Sequence, residues 1–433
     1  MKYYATIIVT LFLVAPQLPQ AQSFSENQIR TTLDSVEKTL LTLYVFPDQA
    51  KKMVAHLRQL QKSGHYQNIS DPSTFAAKVT TDLQNIYPDQ HLKLNYDPRK
   101  VEPSQASSQS PGNDIGLFLK KENYGISKVE ILKGNIGYVD FGFFCWADEV
   151  PHLYSSLMNY LAHTDALILD LRRSRGTLIS SEGTSLLCSY FFKDALHLGD
   201  QYAREGNLTT PIKTSTEVSG KKYLDKPIYL LTSNRTFSGA EQFAYDLKNF
   251  KRATLIGETT RGGAHPTSWQ RISPLFSMNI PIERYISAVT KTDWEGTGVK
   301  ADTLVKANRA LYRAHLIALQ QLQFNNKNAD WQKVLKEAAD ELQNNPPLFR
   351  MVEFELKGFE QAQDVRISGS FNNWSGRGPQ LTRKADKTWS ITLELDPGKL
   401  SYKFMVDGQW ILDRQNPQTE QVGTNINSVK IIQ

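Results

Sequence analysis

The chain has 433 residues, 40% of them hydrophobic and 22% charged, which is too long for one ordinary core and implies two or three domains. Its 50 basic and 44 acidic residues leave a formal charge of +6. They are interspersed, with no basic cluster or arginine-rich arm, so a nucleic-acid partner is excluded from the expectations.

In chain order, residues 1–22 combine a short basic start, an apolar stretch ending near Ala15 and a small residue, Ala21, suited to cleavage. They read as a secretory signal peptide, and no cysteine follows that would argue for a lipid anchor. The mature chain is therefore expected to be exported, periplasmic or extracellular, with no membrane span. Residues 23–98 carry helical periodicity, as in Ile29 to Leu41 and Ala76 to Ile86, and predict a small helical bundle. Residues 99–116, with Pro103, Pro111, Gly112 and several serines, read as a connector.

From 117 to 305, buried strands such as Ala166 to Leu171 alternate with helices, predicting an α/β core. Residues 306–347 read as a helical linker closed by Pro346 and Pro347. Residues 348–433 change to short alternating strands with regular turns, a β-sandwich pattern. Of the two cysteines, Cys188 lies in an apolar run and reads as a buried free thiol. Cys145 has no base nearby, and the pairing of the two is left open. Nothing in the cysteine or histidine spacing makes a metal signature, and no cofactor is implied.

The chemistry concentrates between Pro227 and Leu247, where an apolar run enters a turn bearing Ser238 and then an amphipathic helix. A serine hydroxyl at a helix N-terminus, with the Gly239 amide beside it, is a nucleophile site; Ser238-x-x-Glu241 is equally a capping box. A second buried strand from Ala253 then runs into a glycine-rich loop, Gly262-Gly263-Ala264-His265.

With Gly134 to Asp140, Thr164 to Arg172, Gly257 to Thr260 and Glu295 to Asp302, this order resembles the tail-specific (C-terminal processing) serine peptidases. The similar branch is that of tricorn and the interphotoreceptor retinoid-binding protein. The resemblance implies a crotonase-like core, a peptide or protein substrate, and Ser238 as nucleophile. Where many relatives place a lysine base, this chain has Gly263, and Arg261 cannot lose its proton. The resemblance therefore implies His91, in Asp89-Gln90-His91-Leu92, as base, and Glu295 as the carboxylate supporting it. His265 is a fallback base. Gly176 and Gly239 would hold the oxyanion, although Ser174 and Thr177 stand where the family has Asn and Gly. Thr177 at positive φ would distort the hole.

The last segment, with Asp364 to Trp374, Pro397 to Trp410 and Asn425 to Val429, resembles the glycogen-binding module of AMP-activated protein kinase β subunits and isoamylases. That implies an immunoglobulin-like sandwich binding an α-glucan through Trp374, Lys403, Trp410 and Asn427. The same tryptophans read as core residues in an arbitrary sandwich. Two rival functions stay open: a non-catalytic binder of peptides or apolar ligands, and a glycan-adhesion protein using the core as scaffold. Oligomeric state has no readable signal.

Overall fold

The computed structural model describes residues 24–98 and 112–433, apart from Ala147, Ile179, Asn373, residues 375–377 and Thr424. The signal-peptide segment and residues 99–111 of the connector lie outside the described residues. No described helix is long and apolar enough to cross a membrane.

Three helices open the chain, and each has a chemical reason to start where it does. Glu26–Leu43 begins at Ser25, whose hydroxyl accepts the Gln28 amide while Gln28 reaches back to the Ser25 amide. Pro47–Lys62 starts with proline at its first turn, and Pro72–Ile86 is capped by Asp71, which accepts the Thr74 amide at 2.7 Å. Their apolar faces, with Leu33, Val36 and Leu40, then Met53 and Leu57, then Phe75, Val79 and Leu83, meet in one core.

That core is not closed by helices alone. Lys93–Tyr96 pairs antiparallel with Phe276–Pro281, which pairs with Thr267–Ser273, and Phe276, Met278 and Ile280 fill the helical core. The expected boundary at residue 98 is thus crossed by a strand pair whose partners lie some 180 residues apart in register, as in Leu94 opposite Met278. Residues 112–116, expected in the connector, begin the helix Gly112–Lys121.

The central sheet has six strands. In spatial order they are Thr303–Leu304, Thr254–Gly257, Ile228–Thr232, Ala166–Asp170, Ile136–Phe141 and Ile126–Leu132. All neighbours are parallel except the last pair, which is antiparallel. Strands Ile228–Thr232 and Ala166–Asp170 are buried along their whole length, as parallel strands covered on both faces must be. One face packs Leu167, Leu169 and Leu230 against the helices Val150–Leu161 and Gly239–Asn249. The other packs Ile168, Tyr229 and Ile256 against Ala310–Asn325 and Ala329–Asn344. Residues 306–347 are therefore a cover for the sheet and not a linker, because Ala314, Leu319 and Leu335 are fully buried on it.

The C-terminal region is two antiparallel sheets around one core of Phe354, Ile367, Trp389, Tyr402 and Phe404. Cys145 and Cys188 are both buried free thiols.

Phe276 is fully buried at the joint between the helices and the strands, with ring contacts to Phe24, Phe75 and Tyr96 at 5.5, 5.5 and 5.9 Å. Phe276→Ala is expected to cost about 3–5 kcal/mol in a denaturant titration, the range for a truncated buried aromatic. A loss under about 1 kcal/mol would mean that this joint is not packed as described.

Candidate active site and glucan-binding face

Strand Ile228–Thr232 ends in a turn, and Ser238 sits at its last position with φ 54° and ψ −125°. A residue with a Cβ avoids that region unless its surroundings impose it, at a cost of about 1–3 kcal/mol. The surroundings are plain. The Ser238 amide donates to Glu241 Oε2 at 2.9 Å, and the same carboxylate accepts Thr260 Oγ1 (2.5 Å) and the amides of Gly262 (2.6 Å) and Gly263 (2.9 Å). Glu241 is buried, and burial outweighs these four bonds to push its carboxyl up to about 7. So the capping-box glutamate clamps the serine turn to the glycine loop.

Gly176 lies against this turn, at φ 97°, and a Cβ on it would stand 2.6 Å from the Ser238 Cβ. Gly176 takes the left-handed conformation and Thr177 does not, so the distortion expected from Thr177 is absent. Thr177 instead packs on Gly239, where an added Cβ would fall 1.7 Å from Thr177 Oγ1. The amides of Gly176 and Gly239 donate to no protein acceptor among the described residues. Both glycines are buried beside Ser238.

His91 arrives from the helical layer. Its ring stacks on Phe237, the residue before Ser238, at 4.4 Å and 28°. Burial, which outweighs Asp89, pulls its imidazole down to about 4, so the ring is neutral at pH 7. Its Nδ1 is buried without a hydrogen-bond partner, and no hydrogen bond joins His91 to the Ser238 hydroxyl. Ligand atoms of Asp89, His91 and Glu295 lie within 4.8 Å of one another.

Glu295 does not bond the His91 ring. It accepts the Gln90 amide at 2.7 Å and the Ala264 amide at 2.5 Å, tying the His91 loop to the glycine loop. Asp89 accepts the His91 amide, the Tyr44 hydroxyl (2.9 Å) and His265 Nδ1 (2.7 Å). These carboxylates are engaged in holding loops.

His265, the fallback base, is fully buried and boxed by Asp89, by Asp293 at 3.5 Å and by Glu295 at 3.4 Å. Burial opposes its charge, but the carboxylates prevail and push it up to about 10. A histidine held protonated is a counter-ion, not a base. Asp89, Asp293, Tyr44, Phe237 and the structural role of Glu241 were not assigned from sequence. The acids two places before His91 and before Glu295 were the available signal.

On the C-terminal region, Trp374 and Trp410 meet with ring centroids 6.2 Å apart, Trp374 half-buried and Trp410 44% exposed. Trp410 pairs with Met405, and Lys403, two residues away on that strand, shares its face. Asn427 is only 5% exposed, so it reaches a ligand by its edge at most.

Because the folded pKa of His265 is raised from 6.5 to about 10, its stabilising charge is complete below pH 6.5 and lost as pH rises through 10. Stability measured by urea unfolding should therefore fall between pH 7 and 10, and His265→Gln should flatten that fall. An equally steep fall in the variant would contradict the charged assignment.

Comparison with known proteins follows the same division. Residues 135–305 match the model of peptidase family S41, and residues 23–123 match the N-terminal domain of this family as found in eukaryotic IRBP. Residues 352–433 match the glycogen recognition site of AMP-activated protein kinase. The human 5'-AMP-activated protein kinase subunit beta-2 is 35% identical over 102 residues, 23% of this chain and 35% of that protein. Subunit beta-1 of Sus scrofa is 44% identical over 70 residues, 16% of this chain and 55% of that protein. Among solved structures, a putative peptidase from Parabacteroides merdae aligns over 64% of this chain and 89% of its own, with TM-score 0.46 and 16% identity. The photosystem II D1 C-terminal processing protease aligns over 65% and 94%, with TM-score 0.43 and 13% identity. Through residues 23–123 and 135–305 the chain belongs to peptidase family S41, and over residues 352–433 it carries a glycogen-recognition module.

Proposed function

We propose that the protein is an exported serine-type peptidase acting on peptides or unfolded protein segments, with a module that binds α-glucan. The observation that carries this is Ser238, held at φ 54° in the turn after a buried strand, with the amides of Gly176 and Gly239 beside it bonded to no described acceptor. Such strain at a strand-to-helix turn costs stability and exposes a hydroxyl, which a mere helix cap does not need. That strain also disfavours a role as a passive binder.

In this reading the Ser238 hydroxyl attacks the scissile carbonyl, and the amides of Gly176 and Gly239 take up the oxyanion charge. Neutral His91 accepts the serine proton after a small approach, then gives it to the departing amine. Asp89 stabilises the imidazolium electrostatically, and Glu295, whose carboxyl is pushed up to about 8, holds the His91 loop by accepting the Gln90 and Ala264 amides. Water then hydrolyses the acyl-enzyme by the reverse sequence. We read the α/β core as crotonase-like and the module as an immunoglobulin-like sandwich, consistent with the sheet orders above. Export rests on the first 22 residues alone.

Ser238→Ala should lower peptide turnover by on the order of 10⁴-fold with the melting temperature unchanged, and activity within tenfold of wild type would remove Ser238 as nucleophile. Because His91 is neutral above about pH 4, kcat/KM should hold down through pH 6 and fall only near 4. An acid limb centred near 6.5 would assign the base to an ordinary, solvated histidine. For the module, Trp374→Ala with Trp410→Ala should abolish retention on a glycogen gel while the fold persists. Undiminished retention of the folded double variant would displace the glucan site from these rings.

A further inference from the structure

The module is mounted on the catalytic turn itself. Arg235, three residues before Ser238, donates from Nη1 to the carbonyl of Phe371 at 3.2 Å. Phe371 lies in the short 3-10 helix Ser370–Asn372, which is pinned by Asn372 Oδ1 accepting Ser368 Oγ and the Gly369 amide. Trp374 lies two residues beyond Asn372, and its amide donates to the Gly369 carbonyl at 3.0 Å. The face bearing Trp374 and the turn bearing Ser238 thus share one contact.

A second mount lies beside it. Glu394 of the module pairs with Lys306 and, at 2.5 Å, with Arg309 of the peptidase core. Between those two cations, the Ala307 amide donates to Glu258 Oε1, and Glu258 Oε2 accepts the Asn234 amide at 3.0 Å. Asn234 is the neighbour of Arg235 in the same turn. Ala307 also accepts Arg172 Nη1 at 2.7 Å, and the Arg172 carbonyl accepts Ser233 Oγ at 2.6 Å. Both mounts therefore converge on residues 233–238, and through Arg172 on the loop that carries Gly176.

The turn is built to need such support. Arg235 is partly buried, and burial with the repulsion of Arg173 and Arg172 outweighs the attraction of Glu258 and Asp170, disfavouring its charge. Its guanidinium gains a carbonyl from the module in that setting, where a hydrogen bond to a charged donor counts for more than in water.

We infer that Arg235 is a positioning residue through which glucan bound at Trp374 and Trp410 controls the turn of Ser238. This rests on the reading of the module as a glucan binder and of Ser238 as nucleophile. Stacking of sugar on Trp374 orders the segment around Phe371, which steadies Arg235 and with it the serine. By linkage, whatever steadies the turn also tightens glucan.

The test uses the full chain with maltoheptaose as probe. Hydrogen exchange of the peptide spanning 233–240 should slow at least threefold on saturation, and turnover of a peptide substrate should rise at least threefold. Glu394→Ala, outside both sites, should still be retained on a glycogen gel but lose most of both effects; Arg235→Gln should lose them with retention intact. Exchange reads the coupling even where turnover is silent, so failure of the peptidase reading is scored separately by turnover. Retention with unchanged exchange and turnover overturns the coupling alone. A chain that is not retained overturns both the coupling and the glucan reading.

Discussion

The site depends on one buried carboxylate. Glu241 gathers the amides of Ser238, Gly262 and Gly263 and the Thr260 hydroxyl into a single acceptor. Each donor, if left unpaired in that buried place, costs about 1–3 kcal/mol, so the arrangement is cooperative: all four partners are held or several are orphaned. The clamp is what makes φ 54° at Ser238 sustainable. It also fixes the glycine loop that faces His91 and carries Ala264 and His265.

Around that clamp, charge is arranged in two layers. Near Ser238 the ring that would take its proton is stacked on Phe237 and kept neutral by burial, with the charges of His265 and Arg261 acting in the same direction. Behind it, His265 is kept positive beside the buried Asp89 and Glu295 and the partly exposed Asp293. Burial and Asp89 push the Glu295 carboxyl up to about 8, against the opposing pull of His265. The helical layer contributes Tyr44 and Asp89 to this cluster, which is why it must share a core with Phe276–Pro281. Had residues 24–98 been a detached bundle, His91 could not be held against Phe237.

What could be read from the sequence was local. The Ser238 turn is written in consecutive residues, an apolar strand, a turn and an amphipathic helix, and the two halves of the glycine loop follow it directly. Whether Trp374 and Trp410 lie in the core or at the surface was open in the sequence, and only the 44% exposure of Trp410 decides for that ring. Glu241 was visible only as a cap, because a capping box does not reveal that Gly262 and Gly263 return to the same carboxylate. The pairing of His265 with Asp89 spans 176 residues, and nothing in local periodicity reports it. Residues 306–347 show why helical pattern is ambiguous: the same periodicity serves a linker or a sheet cover, and only the buried Ala314, Leu319 and Leu335 decide. The contact between Arg235 and Phe371 has no sequence signal at all, since one partner is a backbone carbonyl.

The most direct measurement is a crystal structure of the chain after treatment with a fluorophosphonate. The account predicts a phosphonyl adduct on Ser238 Oγ, with its phosphoryl oxygen about 3 Å from the amides of both Gly176 and Gly239. An unmodified Ser238 in a chain that retains peptidase activity, or an adduct whose oxygen points away from both amides, would contradict it.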